Sequence, residues 1–103
     1  MFGLIKKLFG FGGNVDLGAL IREGAVVIDV RSKAEYASGH VKGSINIPLE
    51  QVSANITKLK KHNHIITCCR SGARSGMAKR TLVANGFNNV TNGGSWQSVN
   101  QHV

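Results

Sequence analysis

The feature that most restricts the fold is an alternation of short, β-branched apolar runs with helix signals. Ala25 to Val30 is continuously apolar except for Asp29. A strand buried on both faces, as in a parallel sheet, reads this way, whereas a half-exposed strand alternates polar and apolar residues. Ser32-Lys33-Ala34-Glu35 follows as a capping box and predicts a short helix. Ser44 to Ile47 is a second short strand, stopped by Pro48. Leu49, Val52, Ile56 and Leu59 carry helical spacing and predict a helix over 49–59. His64 to Cys68 forms a third strand, Cys69 to Arg74 a loop, and Ser75 to Asn85 a helix closed by Gly86. Asn89 to Thr91 is a last short strand, Asn92-Gly93-Gly94 a turn, and Trp96 the start of a terminal helical segment. Ahead of the first strand, Asp16 caps a short helix that runs through Arg22 and ends at Gly24. The order predicts an α/β fold, with a central parallel β-sheet flanked by α-helices on both faces and its site beyond the carboxyl ends of the strands.

A chain of 103 residues holds one such domain. It is assigned to residues 14–103, after an N-terminal amphipathic and basic extension over residues 1–13. On a helix, Phe2, Leu4, Ile5, Leu8, Phe9 and Phe11 fall on one side and Lys6 and Lys7 on the other. That pattern suits contact with a membrane surface through residues 1–12; the alternative is a helix packed on the domain or on another subunit. The segment is too short to span a bilayer, and its lysines break the apolar run a signal peptide needs.

There are 13 Lys plus Arg against 5 Asp plus Glu, a formal net charge of +8. The balance favours anionic partners. Nucleic acid is not expected, because the basic residues are dispersed and no aromatic residues alternate with them. The two cysteines, Cys68 and Cys69, are neighbours, so a disulfide between them would staple nothing. A reducing compartment fits that best, so a cytoplasmic localisation is expected, with peripheral membrane association through residues 1–12 as the addition that the N-terminal pattern allows. No cofactor is implied. No metal site is implied either: His62 and His64, expected on one face of a strand, supply only two ligands.

Cys69-Arg70-Ser71-Gly72-Ala73-Arg74-Ser75 joins a strand to a helix. Such a loop turns backbone N–H groups inward as a nest, and the helix behind it adds the positive end of its dipole. Arg70 and Arg74 contribute fixed charges. A thiol at Cys69 should lose its proton readily there and act as a nucleophile. Asp29, at a strand end, is expected to pair with a loop arginine. Arg31 and Glu35, four apart, are expected to pair with each other. His40 should satisfy backbone groups in its turn. Cys68 should point away from Cys69 and pack, the alternative being that it resolves an oxidised Cys69.

These segments resemble the rhodanese family. Val26-Val27-Ile28-Asp29-Val30-Arg31 with Glu35-Tyr36 is similar to its first signature, and Gly39 through Pro48 to the segment that follows. Cys69 to Ser75 is similar to its active-site loop, and Asn92-Gly93-Gly94 with Trp96 to its last turn. The resemblance implies a five-stranded parallel sheet whose first, edge strand would lie near Gly13 to Val15. It implies a sulfurtransferase with a persulfide on Cys69, formed from thiosulfate, a small anionic sulfur donor, or from a persulfide-donor protein. The acceptor would be cyanide or a thiol. The alternative is a persulfide carrier or binding module without turnover. The related cysteine phosphatases have a longer loop between cysteine and arginine; the smaller cradle from Cys69 to Arg74 suits sulfur better than phosphate.

Overall fold

The computed structural model describes residues 16–103; the expected extension over residues 1–13 and the expected edge strand at 13–15 lie outside them. The elements are α1 (Leu17–Arg22), β1 (Val26–Asp29), α2 (Lys33–Ala37), β2 (Ile45–Asn46), α3 (Ile56–Leu59), β3 (Ile65–Cys69), α4 (Ala73–Ala84), β4 (Val90–Ser95) and α5 (Trp96–Asn100). The four strands form one parallel sheet in the order β2-β1-β3-β4. Helices cover both faces, as the alternation of elements predicts.

Neighbouring side chains on a strand supply opposite faces. Ile28, Val30, Ile65, Cys69 and Val90 pack under α4 and the 49–59 segment, with Val52, Leu59, Ala78, Leu82 and Phe87. Val27, Ile66 and Cys68 face the other way, toward Val41 and Val99, with Leu17, Leu20, Ile21 and Trp96 against them. The continuous apolar run in β1 is thus the signature of a strand buried twice.

The caps form where the sequence placed them. Asp16 accepts the Ala19 N–H at 3.0 Å and opens α1. Ser32 and Glu35 close a reciprocal capping box around the start of α2. His40 Nδ1 lies 2.8 Å from the Tyr36 carbonyl, so the ring does serve backbone in its turn.

Several boundaries differ from expectation. The helix expected over 49–59 is two 3-10 turns, Leu49–Gln51 and Ser53–Asn55, followed by the single turn of α3. Leu49 and Val52 are three apart, a spacing the 3-10 turn satisfies as well as the α-helix does. Asn55 Nδ2 also takes the Gln51 carbonyl at 2.8 Å, a local bond that competes with a continuous helix. Strand β3 includes Cys69, and α4 begins at Ala73, so the loop proper is only Arg70 to Gly72. His62 and His64 both precede β3, so they do not share a strand face; His64 Nε2 meets Thr91 Oγ1 at 2.9 Å.

Asn92-Gly93-Gly94, expected as a turn, lies within β4. Thr67 pairs with Asn92 and Cys69 with Ser95, so β4 carries one residue more than β3 over this stretch. This bulge bends the strand around the end of β3. Gly93 is required there for lack of space. A Cβ on it would sit 2.7 Å from Val99 Cγ2 and 2.8 Å from Ile66 Cγ2, with the Thr67 carbonyl at 3.1 Å. Gly93→Ala is therefore expected to cost about 1–3 kcal/mol, the usual penalty of overpacking. Urea unfolding reads the loss, and an unchanged midpoint would show that β4 can move away.

Candidate active site

In this sheet β1 leads to β2 on one side and β3 leads to β4 on the other. The strand order reverses between β1 and β3, the place beyond whose carboxyl ends ligands bind in folds of this kind. All the expected site residues gather there. Asp29 ends β1 and Arg31 follows it, while Cys69 ends β3. Arg70, Ser71 and Gly72 form the loop, and Ala73, Arg74 and Ser75 form the first turn of α4.

Cys69 Sγ lies at the centre of the loop. It accepts the Gly72 N–H at 3.0 Å and the Ser75 N–H at 3.4 Å. The Ser75 hydroxyl lies 3.4 Å away. Gly72 is the N-cap of α4 with φ +109°, a left-handed conformation that aims its amide at the sulfur. Only glycine takes this angle without strain. The N-cap amide of Gly72 and the first-turn amide of Ser75 thus point at one sulfur atom. Burial raises the Cys69 pKa. The Ser75 hydroxyl and the amides of Ser75, Gly72 and Ser71 outweigh that burial and hold the thiol below its ordinary value. Cys68, one residue earlier, faces the opposite core. Burial, with Asp29 nearby and only partial relief from Arg31, pushes its thiol up to about 12. The alternation of the strand thus shifts the pKa values of the two neighbouring thiols in opposite directions.

The ion pairs are not those expected. Asp29, fully buried, pairs with Arg31 and not with a loop arginine. Arg31 Nη2 donates to Asp29 Oδ2 at 2.7 Å, Arg31 Nε donates to both carboxylate oxygens at 3.0 Å, and the Arg31 N–H donates to Asp29 Oδ1 at 3.0 Å. Arg31 Nη2 also donates to the Gly39 carbonyl at 2.6 Å, and the guanidinium lies 4.9 Å from the centre of the Trp96 ring. The hydrogen bond to Asp29 raises the Arg31 pKa against its burial. Glu35 turns away from Arg31 and forms a fork with Arg74, at 2.7 Å from Nη1 and 3.0 Å from Nη2. Arg74 therefore hydrogen-bonds to Glu35 and not to Asp29 or the sulfur. The Glu35 bond raises its pKa, and Cys69 and Asp29 both lie near enough to raise it further. A residue two positions along an extended chain reaches Asp29 directly, while Glu35, held by the capping box, points across to α4. Arg70 and Ser71 are exposed at the mouth.

Two participants were not visible as such in the sequence. Asn92 reads there only as a turn residue. Its Nδ2 donates to the Gly72 carbonyl at 3.2 Å, and its Oδ1 accepts from the Ser75 hydroxyl at 2.7 Å. Trp96 reads as core, and its ring carries Arg31. Among the described residues no cluster of His, Cys, Asp or Glu could hold a metal ion, and no helix is long and apolar enough to cross a membrane.

A parallel α/β sheet with a buried cysteine at the strand end, held by amides of a three-residue loop and a helix start, defines the class. The chain belongs to the rhodanese-like domain family, whose profile matches residues 14–101. It is 36% identical over 74 residues to the thiosulfate sulfurtransferase PspE of Escherichia coli, covering 70% of this chain and 71% of that protein. It is 39% identical over 66 residues to the putative sulfur carrier protein YrkF of Bacillus subtilis, covering 64% of this chain but only 36% of that protein. Among solved structures, a rhodanese with anions from E. coli superimposes with a TM-score of 0.68 at 34% identity, over 73% of this chain and 91% of that one.

The two ion pairs should respond differently to substitution and to pH. Glu35 is held well below the usual carboxylate range by Arg74 first and the Ser32 N–H second. A carboxylate depressed on folding contributes stability above its unfolded pKa, about 4.3, and loses it as pH falls below that. Glu35→Gln should therefore lower the melting temperature at pH 6–7 and have no effect in strong acid. Arg31→Met should cost about 3 kcal/mol or more at neutral pH, because it strands a buried carboxylate. Melts of the two variants across pH check both; equal effects at pH 7, or a Glu35→Gln deficit that persists in acid, would contradict the assignment.

Proposed function

We propose that the protein is a sulfurtransferase in which Cys69 carries a sulfane sulfur. The observation that carries this reading is the convergence of the Gly72 and Ser75 amides on Cys69 Sγ at the start of α4. The Cys69 thiolate attacks the outer sulfur of thiosulfate. The sulfur–sulfur bond of thiosulfate breaks, and sulfite leaves with its electron pair. The new persulfide adds one S–S bond of about 2.05 Å to a Cys69 sulfur already held by these amides. The Gly72 and Ser75 amides already placed around the sulfur cost no reorganisation as charge develops there. A nucleophilic acceptor, cyanide or a thiol, then takes the outer sulfur and returns the Cys69 thiolate. Arg70 at the mouth attracts the anionic donor, and Arg74, tied to Glu35, fixes the helix start that forms the ring.

A second reading, a persulfide carrier loaded by a donor protein, draws support from two observations. Cys69 is only 1% exposed, so a free donor has a narrow approach. A relative is named as a putative sulfur carrier. In either reading residues 14–103 do the chemistry and residues 1–12 are dispensable for it. A reducing, cytoplasmic setting suits both.

Steady-state turnover with thiosulfate and cyanide separates the readings. The enzyme turns over many times per chain, Cys69→Ser abolishes turnover, and Cys68→Ser retains it. Arg70→Ala raises the thiosulfate KM by roughly tenfold, the loss of about 1.4 kcal/mol of charge-assisted binding, with little change in melting temperature. A carrier accepts one sulfur per chain and turns over negligibly. Full turnover by Cys69→Ser would overturn both.

A further inference from the structure

The Ser75 hydroxyl has one proton and three acceptors within reach. Asn92 Oδ1 is at 2.7 Å, the Gly72 carbonyl at 3.1 Å and Cys69 Sγ at 3.4 Å. The Asn92 amide cannot be turned over to make its nitrogen face Ser75. Its Oδ1 also accepts the Gly94 N–H at 3.0 Å, which only an oxygen can do, and its Nδ2 donates to the Gly72 carbonyl. The shortest contact therefore takes the Ser75 proton, and the hydroxyl presents a lone pair to Cys69. A neutral Cys69 thiol can donate its S–H to that lone pair. A sulfur anion cannot, and needs the Ser75 proton instead. The Gly72 carbonyl is the weaker competitor, because it already accepts from the Gly76 N–H at 3.0 Å.

We propose that Asn92 is a positioning residue that holds the Ser75 hydroxyl proton away from Cys69 and releases it, by rotation about the Cβ–Oγ bond, when negative charge forms on the sulfur. No covalent bond changes; one hydrogen bond is exchanged for another. Asn92 thereby sets how much the hydroxyl stabilises the thiolate and, in the loaded protein, the persulfide anion. The inference rests on Cys69 being the sulfur-bearing nucleophile. The other titratable and charged groups around the site are Arg70 at the mouth, Arg74 on α4 with Glu35 of α2 bound to it, Cys68 on β3, and the Asp29–Arg31 pair at the end of β1. All are unchanged in the variants below.

The test is the pH dependence of Cys69 alkylation by iodoacetamide in the full chain, with the label located by fragmentation and the fold checked by circular dichroism. Asn92→Leu removes the competing acceptor. It should lower the alkylation midpoint by about half to one pH unit, roughly three- to tenfold more thiolate below the midpoint. In a Ser75→Ala background the same substitution should shift the midpoint by less than about a third of that, because no proton remains to be redirected. Asn92→Asp keeps the acceptor and should leave the midpoint at or above the wild-type value, which serves even where Asn92→Leu does not fold. An Asn92→Leu midpoint that stays or rises, an equal shift with and without Ser75, or a lowered Asn92→Asp midpoint would overturn the proposal. A chain that shows the expected order of midpoints but takes no sulfur from thiosulfate would retain the proton exchange and overturn the reading of function on which it was placed.

Discussion

The buried fork between Asp29 and Arg31 ties together the parts of the molecule that surround the site. A carboxylate with no exposed surface at the end of a central strand is costly unless every lone pair finds a donor. Arg31 meets that demand from two residues away, and in doing so it is itself drawn down over the end of the sheet. There its guanidinium takes the Gly39 carbonyl and lies against Trp96. Asn46 of β2 donates to the Asp29 and Arg31 carbonyls from the other side. The turn after α2, the edge strand and the start of α5 therefore share one anchor. The pair contributes definition to the crevice more than it contributes net stability, since its attraction must first offset the desolvation of both charges.

On this anchored end the chain assigns its few acids to particular arginines. Asp29 takes Arg31 and Glu35 takes Arg74, so the negative charge nearest the site is neutralised by partners that hold it. What faces Cys69 is a set of amides and a hydroxyl. Backbone dipoles fixed by a helix start give a field that neither salt nor side-chain motion removes easily, which suits a group that must stabilise thiolate and persulfide alike. Arg74 supports that field indirectly. Its fork with Glu35 joins the first turn of α4 to the first turn of α2, and both turns are the ones whose free N–H groups are in use.

The sequence showed the fold through patterns that depend on neighbours in the chain. The doubly buried run at Val26 to Val30, the capping box at Ser32 and Glu35, and the Cys69 to Ser75 loop are all local, and local physics set them. What it did not show depends on partners far away in sequence. Nothing near Glu35 indicates that it reaches Arg74, since the i,i+4 spacing to Arg31 is equally good on paper. Asn92 and Gly93 look like a turn because Asn-Gly-Gly is turn composition. Their placement in a bulge follows from Ile66 and Val99, which leave no room for a Cβ at Gly93. The 49–59 segment failed as a continuous helix because its apolar spacing fits a 3-10 turn as well, and Asn55 bonds locally.

The central claim is that strand alternation and one amide ring divide two adjacent cysteines into a sulfur carrier and a packing residue. Intact-protein and fragment mass spectrometry after brief treatment with thiosulfate and desalting addresses it directly. The account requires one added sulfur atom per chain, located on Cys69, present in Cys68→Ser and absent in Cys69→Ser. Sulfur on Cys68, or uptake that survives Cys69→Ser, would contradict it.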